Sequence, residues 1–218
     1  MKHSSPGLYD RLFAAVYDPL MARAERETLS PLRSRLLAGA RGTVLDIGAG
    51  TGSNLPFLDL PDTRAVFLDR SASMLSKALG KGLGKQGYPV IGSATALPFP
   101  DECFDSIVVT LVLCSVDDLS ASLGEIHRTL RKEGSLFLME HVLSDSPSRA
   151  AIQKLATPLW KRLAAGCHLD RPTDHLVRIL FREEESWKEV HGILPFHVGR
   201  YKKRNQGTLL SENPDSGA

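Results

Sequence analysis

The sequence predicts an α/β fold, a mostly parallel sheet with helices on both faces, and three stretches carry that prediction. Thr43 to Gly52 (TVLDIGAGTG) joins an apolar, β-prone run to a glycine-rich bend and the start of a helix. Ala65 to Asp69 is a second apolar run, and it ends on an acid roughly 20 residues past the first glycine, where α/β folds place a ribose-binding carboxylate. Ser106 to Val112 is apolar and β-branched, as a central strand buried on both faces must be.

The remaining elements follow in order. From Leu8 to Leu37 apolar residues recur at helical intervals, broken near Asp18 and Pro19, which predicts two helices before the first strand. In the bend, Gly48, Gly50 and Gly52 allow tight turning and close ligand approach. Their Gly-x-Gly-x-Gly spacing differs from the dinucleotide fingerprint, in which the third glycine falls where Ser53 stands, and so favours another adenosine ligand. Gly52 to Leu58 should open a helix whose amide end favours an anion, with Pro56 tolerated in its first turns. Ser71 reads as a helix cap, with Met74, Leu75 and Ala78 facing inward. A loop or frayed helix end over Gly80–Gly87 precedes a third strand at Tyr88–Ile91. Asp117 or Asp118 caps a helix over Leu119–Leu130, and Gly134–Val142 is a fifth strand ending in Glu140 and His141 at the edge where open parallel sheets carry their sites. A helical insertion is expected over 147–185. Trp187–Leu194 and Phe196–Lys203 alternate about Pro195 as an antiparallel closing hairpin, and 205–218 has the composition of a disordered tail.

Bulk properties narrow the function. A chain of 218 residues, 42% hydrophobic and 24% charged, suits one soluble domain, here 1–204, and a formal charge of +2 argues against nucleic acid. Cys103, Cys114 and Cys167 show neither disulfide nor zinc-site spacing. Cys167-His168 with Asp170 is a poor metal set because adjacent residues do not easily supply two legs of a tetrahedron, so no metal is expected. Cys114 reads as an inert buried thiol. With no apolar run near the ~18 residues of a membrane span and no signal-peptide core, the chain is expected to be cytoplasmic, a monomer or homodimer, with at most peripheral membrane contact.

Four segments carry a resemblance to a known family. LDIGAGTG (Leu45–Gly52), FLDRSASML (Phe67–Leu75), ALPFPDECFDSIV (Ala96–Val108) and EIHRTLRKEGSLFL (Glu125–Leu138) resemble, in order and spacing, the class I S-adenosylmethionine-dependent methyltransferases of the methyltransferase-11-like branch. TLVLCSV (Thr110–Val116), MEHV (Met139–Val142) and GCHLDR (Gly166–Arg171) are similar to the methyltransferase-like thiol S-methyltransferases of animals and their bacterial relatives. The resemblance covers roughly Glu25 to Lys203. It implies a Rossmann-like sheet of seven strands, S-adenosyl-L-methionine as cofactor, a small-molecule acceptor, N-terminal lid helices over 8–38, a cofactor-binding core over 43–142 and an acceptor-side insertion. The animal enzymes begin with a membrane anchor for which this sequence shows no counterpart.

On the same resemblance, the glycine loop, Gly48, Ala49, Gly50, Thr51 and Gly52, holds the methionine end of the cofactor and Asp69 the ribose, with Asp46, Asn54 and Arg70 also in the cofactor-binding set. Met74, Ser93 and Ala94 lie at the adenine, and Thr110, Leu111 and Ser115 border the transferable methyl. Ser93 stands where relatives carry an acid. Met74 has core packing as an equal reading; for Tyr9 and Tyr17, which the resemblance implies face the site, core or lid packing is the first reading. His141 and Tyr17 are the candidate catalytic residues, a structural hydrogen bond being the competing reading of His141. The resulting expectation is transfer of a methyl group to a small thiol; the alternatives are a phospholipid-amine or quinone methyltransferase and a cofactor-binding regulator without turnover.

Overall fold

A computed structural model of the protein describes residues 7–59, 62–191 and 194–204. The expected tail at 205–218 lies outside them. The sheet runs β3-β2-β1-β4-β5-β7-β6. Its strands are β1 (Thr43–Ile47), β2 (Arg64–Asp69), β3 (Gly87–Ile91), β4 (Phe104–Thr110), β5 (Leu130–His141), β6 (Phe181–His191) and β7 (Leu194–Lys203). The first five pair in parallel, whereas β7 is antiparallel to both β5 and β6. The helices are α1 (Leu8–Ala24), α2 (Ser30–Leu37), α3 (Leu55–Leu58), α4 (Ala72–Gly80), α5 (Leu83–Gln86), α6 (Leu119–Thr129), α7 (Pro147–Leu163) and α8 (Thr173–Leu180).

The period-2 alternation of the central strands divides the core. Val44, Phe67, Val108, Phe137 and Met139 face one layer with Leu36 and Leu37 of α2 and Leu75 and Ala78 of α4. Leu45, Leu68, Ile107, Val109, Leu136 and Leu138 face the other, with Leu123 and Ile126 of α6 and Val177 of α8. Asp46 shares the parity of Val44, which turns its carboxylate toward the face on which α2 packs.

Three local expectations are corrected. The N-terminal helix does not break at Asp18 and Pro19: α1 passes through Pro19, and the irregularity is a π-helical turn at Glu25–Leu29. Proline leaves the carbonyl four residues back without its donor. That carbonyl, on Ala15, accepts from Lys77 Nζ at 3.2 Å instead, so α4 supplies what Pro19 lacks. The helix after the glycine bend begins at Leu55 rather than Gly52 and is four residues long, because Gly52 has φ +86° and its amide is spent on Ala49. It therefore presents no helical amide end to an anion. The last hairpin starts earlier than expected, β6 beginning at Phe181, which is fully buried in the second core layer.

Candidate active site

In open parallel sheets the strands' carboxyl ends face the ligand crevice, and here those ends carry the singled-out residues. Gly48 and Ala49 amides both bond to Leu68 O (2.7 and 3.0 Å), seating the bend on the end of β2. Gly48 is required sterically: with φ +69°, an added Cβ would lie 2.3 Å from Val112 Cγ2. Gly50, at φ +57°, differs, since a Cβ there would meet only Gly48 O at 3.7 Å and Met74 Cε at 3.8 Å. The bend at Gly50 thus presents bare backbone to free space beside the Met74 thioether.

Asp69 closes this corner. Its Oδ2 accepts from Gly50 N and its Oδ1 from Ser71 N, both at 2.8 Å. Burial raises its pKa, and the two amides pull it back. Ser71 caps α4 through Met74 N, as the sequence predicts. Each carboxylate oxygen keeps further lone-pair capacity for a hydroxyl donor. From above, Asp18 of α1 holds the bend through Thr51 Oγ1 at 2.5 Å and is paired with Lys81 at 2.7 Å. Burial works against the Asp18 charge, but Lys81 and Thr51 outweigh it and hold the carboxyl below its ordinary value.

Beneath the bend runs a buried polar chain. Asn54 Nδ2 donates to Asp46 Oδ1 at 2.8 Å and to Thr110 Oγ1 at 3.0 Å, while Asn54 Oδ1 accepts from Arg33 Nε at 2.8 Å. Arg33, 2% exposed, also pairs closely with Glu25 of the π-helical turn. Asp46 has no exposed surface and its Oδ2 has no partner among the described residues. Burial therefore pushes its pKa up to about 7, against the opposing pull of Asn54 and Arg33. An unpartnered buried carboxylate oxygen is costly unless a ligand donor meets it. An ammonium group such as that of a methionyl moiety suits it.

The far side of the site is the bend after β4. Leu111 takes φ +59°, unusual for a leucine and a sign that the bend is held from outside. Glu140, fully buried at the end of β5, accepts the amides of Val112 (2.7 Å), Leu113 (2.8 Å) and Cys114 (3.3 Å). Arg171 Nη1 donates to the carbonyls of Leu113 and Val116, both at 2.8 Å, and His168 N donates to Cys114 O at 2.8 Å. These contacts bring Cys114, His141 and Cys167 together. His141 Nε2 lies 2.9 Å from Cys167 Sγ, and the three side chains' ligating atoms lie within 4.8 Å of one another, all buried. The hydrogen bond from Cys114 and the neighbouring His141 hold the Cys167 thiol far below its ordinary range, while the same bond and burial push Cys114 up. Burial acts to lower His141, but Cys167 outweighs it and raises it.

Of the residues picked from sequence, Asp46, Asn54 and Thr110 form one hydrogen-bonded cluster, Gly50, Asp69 and Met74 meet at one corner, and His141 and Ser115 flank Cys114. Tyr17 is pushed up to about 12 by burial, against Arg33, with Glu25, Cys114 and Asp18 adding to the shift, so it keeps its proton near neutrality. Tyr9 instead ties α1 to the end of α7, through Leu163 O and Ala165 N. Two others point elsewhere. Arg70 reaches Asp117 across the surface at 3.4 Å, and the exposed Ser93 hydroxyl is engaged with Thr95 at 2.8 Å. Cys167 and His168 do not act as a pair: His168 Nδ1 lies 4.0 Å from Asp170, while Cys167 turns to His141. Arg33, Glu25 and the cap made by Glu140 were not singled out from sequence. A basic residue at 33 among inward Leu29, Leu36 and Leu37 at helical spacing was the available signal for Arg33. Two open clefts, about 480 and 240 Å³, lie instead at the opposite edge of the sheet, around Arg131 and Trp187.

Comparison with known proteins agrees with this geometry. Residues 45–138 match the family model described as a methyltransferase domain. Thiol S-methyltransferase TMT1B of Rattus norvegicus is 31% identical over 174 residues, 77% of this chain and 70% of that protein. Thiol S-methyltransferase TMT1A of Homo sapiens is 30% identical over 184 residues, 82% and 70% of the two chains. A demethylmenaquinone methyltransferase of Roseiflexus castenholzii is 40% identical over a shorter 101 residues, 45% and 42% of the two. Among solved structures, a SAM-dependent methyltransferase of Thermotoga maritima superposes with a TM-score of 0.65 at 21% identity, over 90% of this chain and 98% of that one, which speaks for the fold. An adenosyl sulfonium with an ammonium end also suits the bare bend at Gly50 and the unpartnered oxygen of Asp46. Similarity of this extent across both chains, carried on a seven-stranded sheet of this order, places the protein in the family of S-adenosylmethionine-dependent methyltransferases.

Proposed function

We propose that the protein methylates the sulfur of a small, lipophilic thiol. One observation carries the reading: the three segments that resemble the thiol enzymes, far apart in sequence, meet in one place through Cys114, His141 and Cys167, braced by Glu140 and Arg171. The thiol S-methyltransferases at 31% and 30% identity support the same acceptor. S-adenosylmethionine supplies a methyl on a sulfonium: the acceptor sulfur bonds to that carbon, and the carbon-to-sulfonium bond breaks with its electron pair left on the cofactor's sulfur.

The chain's own residues align and exclude water. Asp46 and the bend at Gly50 hold the methionyl end, Asp69 the ribose, and α1 closes over them through Thr51 and Lys81. Alignment of this kind is worth about 7–11 kcal/mol in well-oriented systems. A thiol has a pKa near 8.5, so a modest local bias toward the thiolate is enough. His141 provides it, and Tyr17, which keeps its proton, serves as a donor rather than a base.

The lipophilic part rests on the rim. Leu8, Leu12, Val16 and Leu20 of α1 are exposed, as are Leu155, Leu159 and Leu163 of α7, which Tyr9 joins to α1. Among the described residues no helix is long and apolar enough to cross a membrane. The same rim, with the quinone methyltransferase relatives, favours a quinone carbon as the second reading. Incubation with methyl-labelled S-adenosylmethionine and a panel of alkyl thiols, aryl thiols and demethylated quinones separates the two. Label in the methyl thioether of an apolar thiol is expected; label only in the quinone overturns the thiol assignment.

A further inference from the structure

We propose that Cys114, His141 and Cys167 form a three-ligand site for a zinc-type soft divalent cation whose fourth position takes the acceptor's sulfur. The second half of that statement rests on the thiol reading above; the first stands on the side chains alone.

Two sulfurs and one imidazole nitrogen are the donor set that selects zinc-like ions and excludes calcium and magnesium, which take oxygen. Three protein ligands with one position open is the arrangement by which catalytic zinc sites differ from closed structural ones. Ideal bonds of about 2.3 Å to sulfur and 2.0–2.1 Å to nitrogen place the donor atoms of a tetrahedral site roughly 3.6–3.8 Å apart. Here all three lie within 4.8 Å, and His141 Nε2 and Cys167 Sγ, at 2.9 Å, need to open by less than an ångström.

The three ligands are also fixed by separate elements before any ion arrives. His141 ends β5 in register with Phe196 of β7. Cys114 is held by Glu140 through its amide and by His168 through its carbonyl. Cys167 follows Ala165 and Gly166, both at positive φ, and its amide bonds to Ala164 O. Surface accessibilities of 1%, 5% and 9% for Cys114, His141 and Cys167 make a dry cage. Ion binding expels the Cys114 proton and the proton that Cys167 and His141 share, giving a neutral set of two thiolates, one imidazole and a dication. An acceptor thiol that takes the fourth position releases its own proton to solvent, leaving a thiolate for the methyl group. The cation then does what a free imidazole would otherwise do, with His141 as its ligand.

Cobalt(II) titration into the reduced, metal-free full chain under anaerobic conditions reads the site directly. A thiolate-to-cobalt absorption band saturating at one ion per chain, displaced by zinc, is expected. It should vanish in Cys114→Ala and Cys167→Ala and persist in Cys103→Ala; retained S-adenosylhomocysteine binding shows that the variants are folded. Absence of the band in the wild type, or a band indifferent to Cys114→Ala and Cys167→Ala, overturns the site. Octanethiol added to the cobalt form should shift the band by adding a third thiolate; an unmoved band overturns the fourth position. Methyl transfer to the same thiol, measured with and without chelator, separates this inference from the functional reading. Transfer equally fast without metal overturns the cation's role and leaves the thiol reading standing. A bound ion without transfer to any thiol overturns that reading, and the fourth position with it, but supports the three-ligand site.

Discussion

Cofactor binding should strengthen as pH rises toward neutrality, and Asp46 should be the cause. The carboxylate is fully buried, its Oδ2 has no partner among the described residues, and that burial pushes its pKa up to about 7. If the cofactor's ammonium binds only the ionised form, the apparent Kd scales as one plus the ratio of protonated to ionised Asp46. For a pKa of about 7 that factor is about 11 at pH 6 and about 1.3 at pH 7.5, roughly an eightfold gain in affinity. Calorimetric titration of S-adenosylhomocysteine at both pH values, in two buffers of different ionisation enthalpy, reads the affinity and the proton released. Asp46→Asn keeps an acceptor for Asn54 and should bind weakly at both pH values with no proton release. A pH-independent wild type, or the same pH dependence in Asp46→Asn, refutes the reasoning. The stability of the free protein carries the opposite sign. A carboxyl raised in the folded state contributes stability that is fully present below its unfolded value of about 4 and is lost as pH rises through about 7, by a ceiling on the order of 4 kcal/mol. Asp46→Asn should therefore melt higher than wild type at pH 7.5. Glu140, raised to about 7 by burial against its three amide bonds, has the same sign, so part of the pH slope should survive in the variant.

Three further outcomes follow from contacts elsewhere in the site. Asp69→Ala removes the acceptor of Gly50 N and Ser71 N and should weaken cofactor binding by about 1–3 kcal/mol, measured by calorimetry; unchanged affinity removes Asp69 from the pocket. Arg33→Met leaves Glu25 without its partner and takes from Asn54 the nearer of its two donors, and should lower unfolding stability in urea by about 3–5 kcal/mol, with much of the loss recovered in Arg33→Met/Glu25→Gln. Lys77→Met should cost about 1 kcal/mol in the presence of Pro19 and close to nothing in a Pro19→Ala background, where a backbone amide again serves Ala15; equal costs in both backgrounds contradict the role given to Lys77.

The parallel core was legible because strand burial leaves a local mark. Ile107-Val108-Val109 is apolar on both parities, Val44-Leu45-Asp46-Ile47 is so but for Asp46, and Ser71 sits at its cap distance from Met74. The meeting of Gly50 with Asp69 was legible too, since one follows β1 and the other ends β2, which pair in register. What escaped depends on contacts at long range. Nothing near Pro19 announces that Lys77 will satisfy Ala15, so the local pattern predicts a break between two helices there. Cys114 and Cys167, 53 positions apart, have no spacing to read, and their approach depends on Arg171 and Glu140 clamping the bend after β4. Cys114 and Cys167 are thus less visible from their sequence neighbours than Asp69 or Asn54.

The bend itself offers the sharpest test of the cofactor site. Gly50→Ala places a methyl in the free space beside Met74 and, at φ +57°, costs about 1–2 kcal/mol of strain, which the fold should tolerate. Titrated with S-adenosylhomocysteine, the wild type should bind one molecule per chain and the folded Gly50→Ala variant should give no heat. Equal binding by both, or none by the wild type, contradicts the placement of the cofactor on this bend.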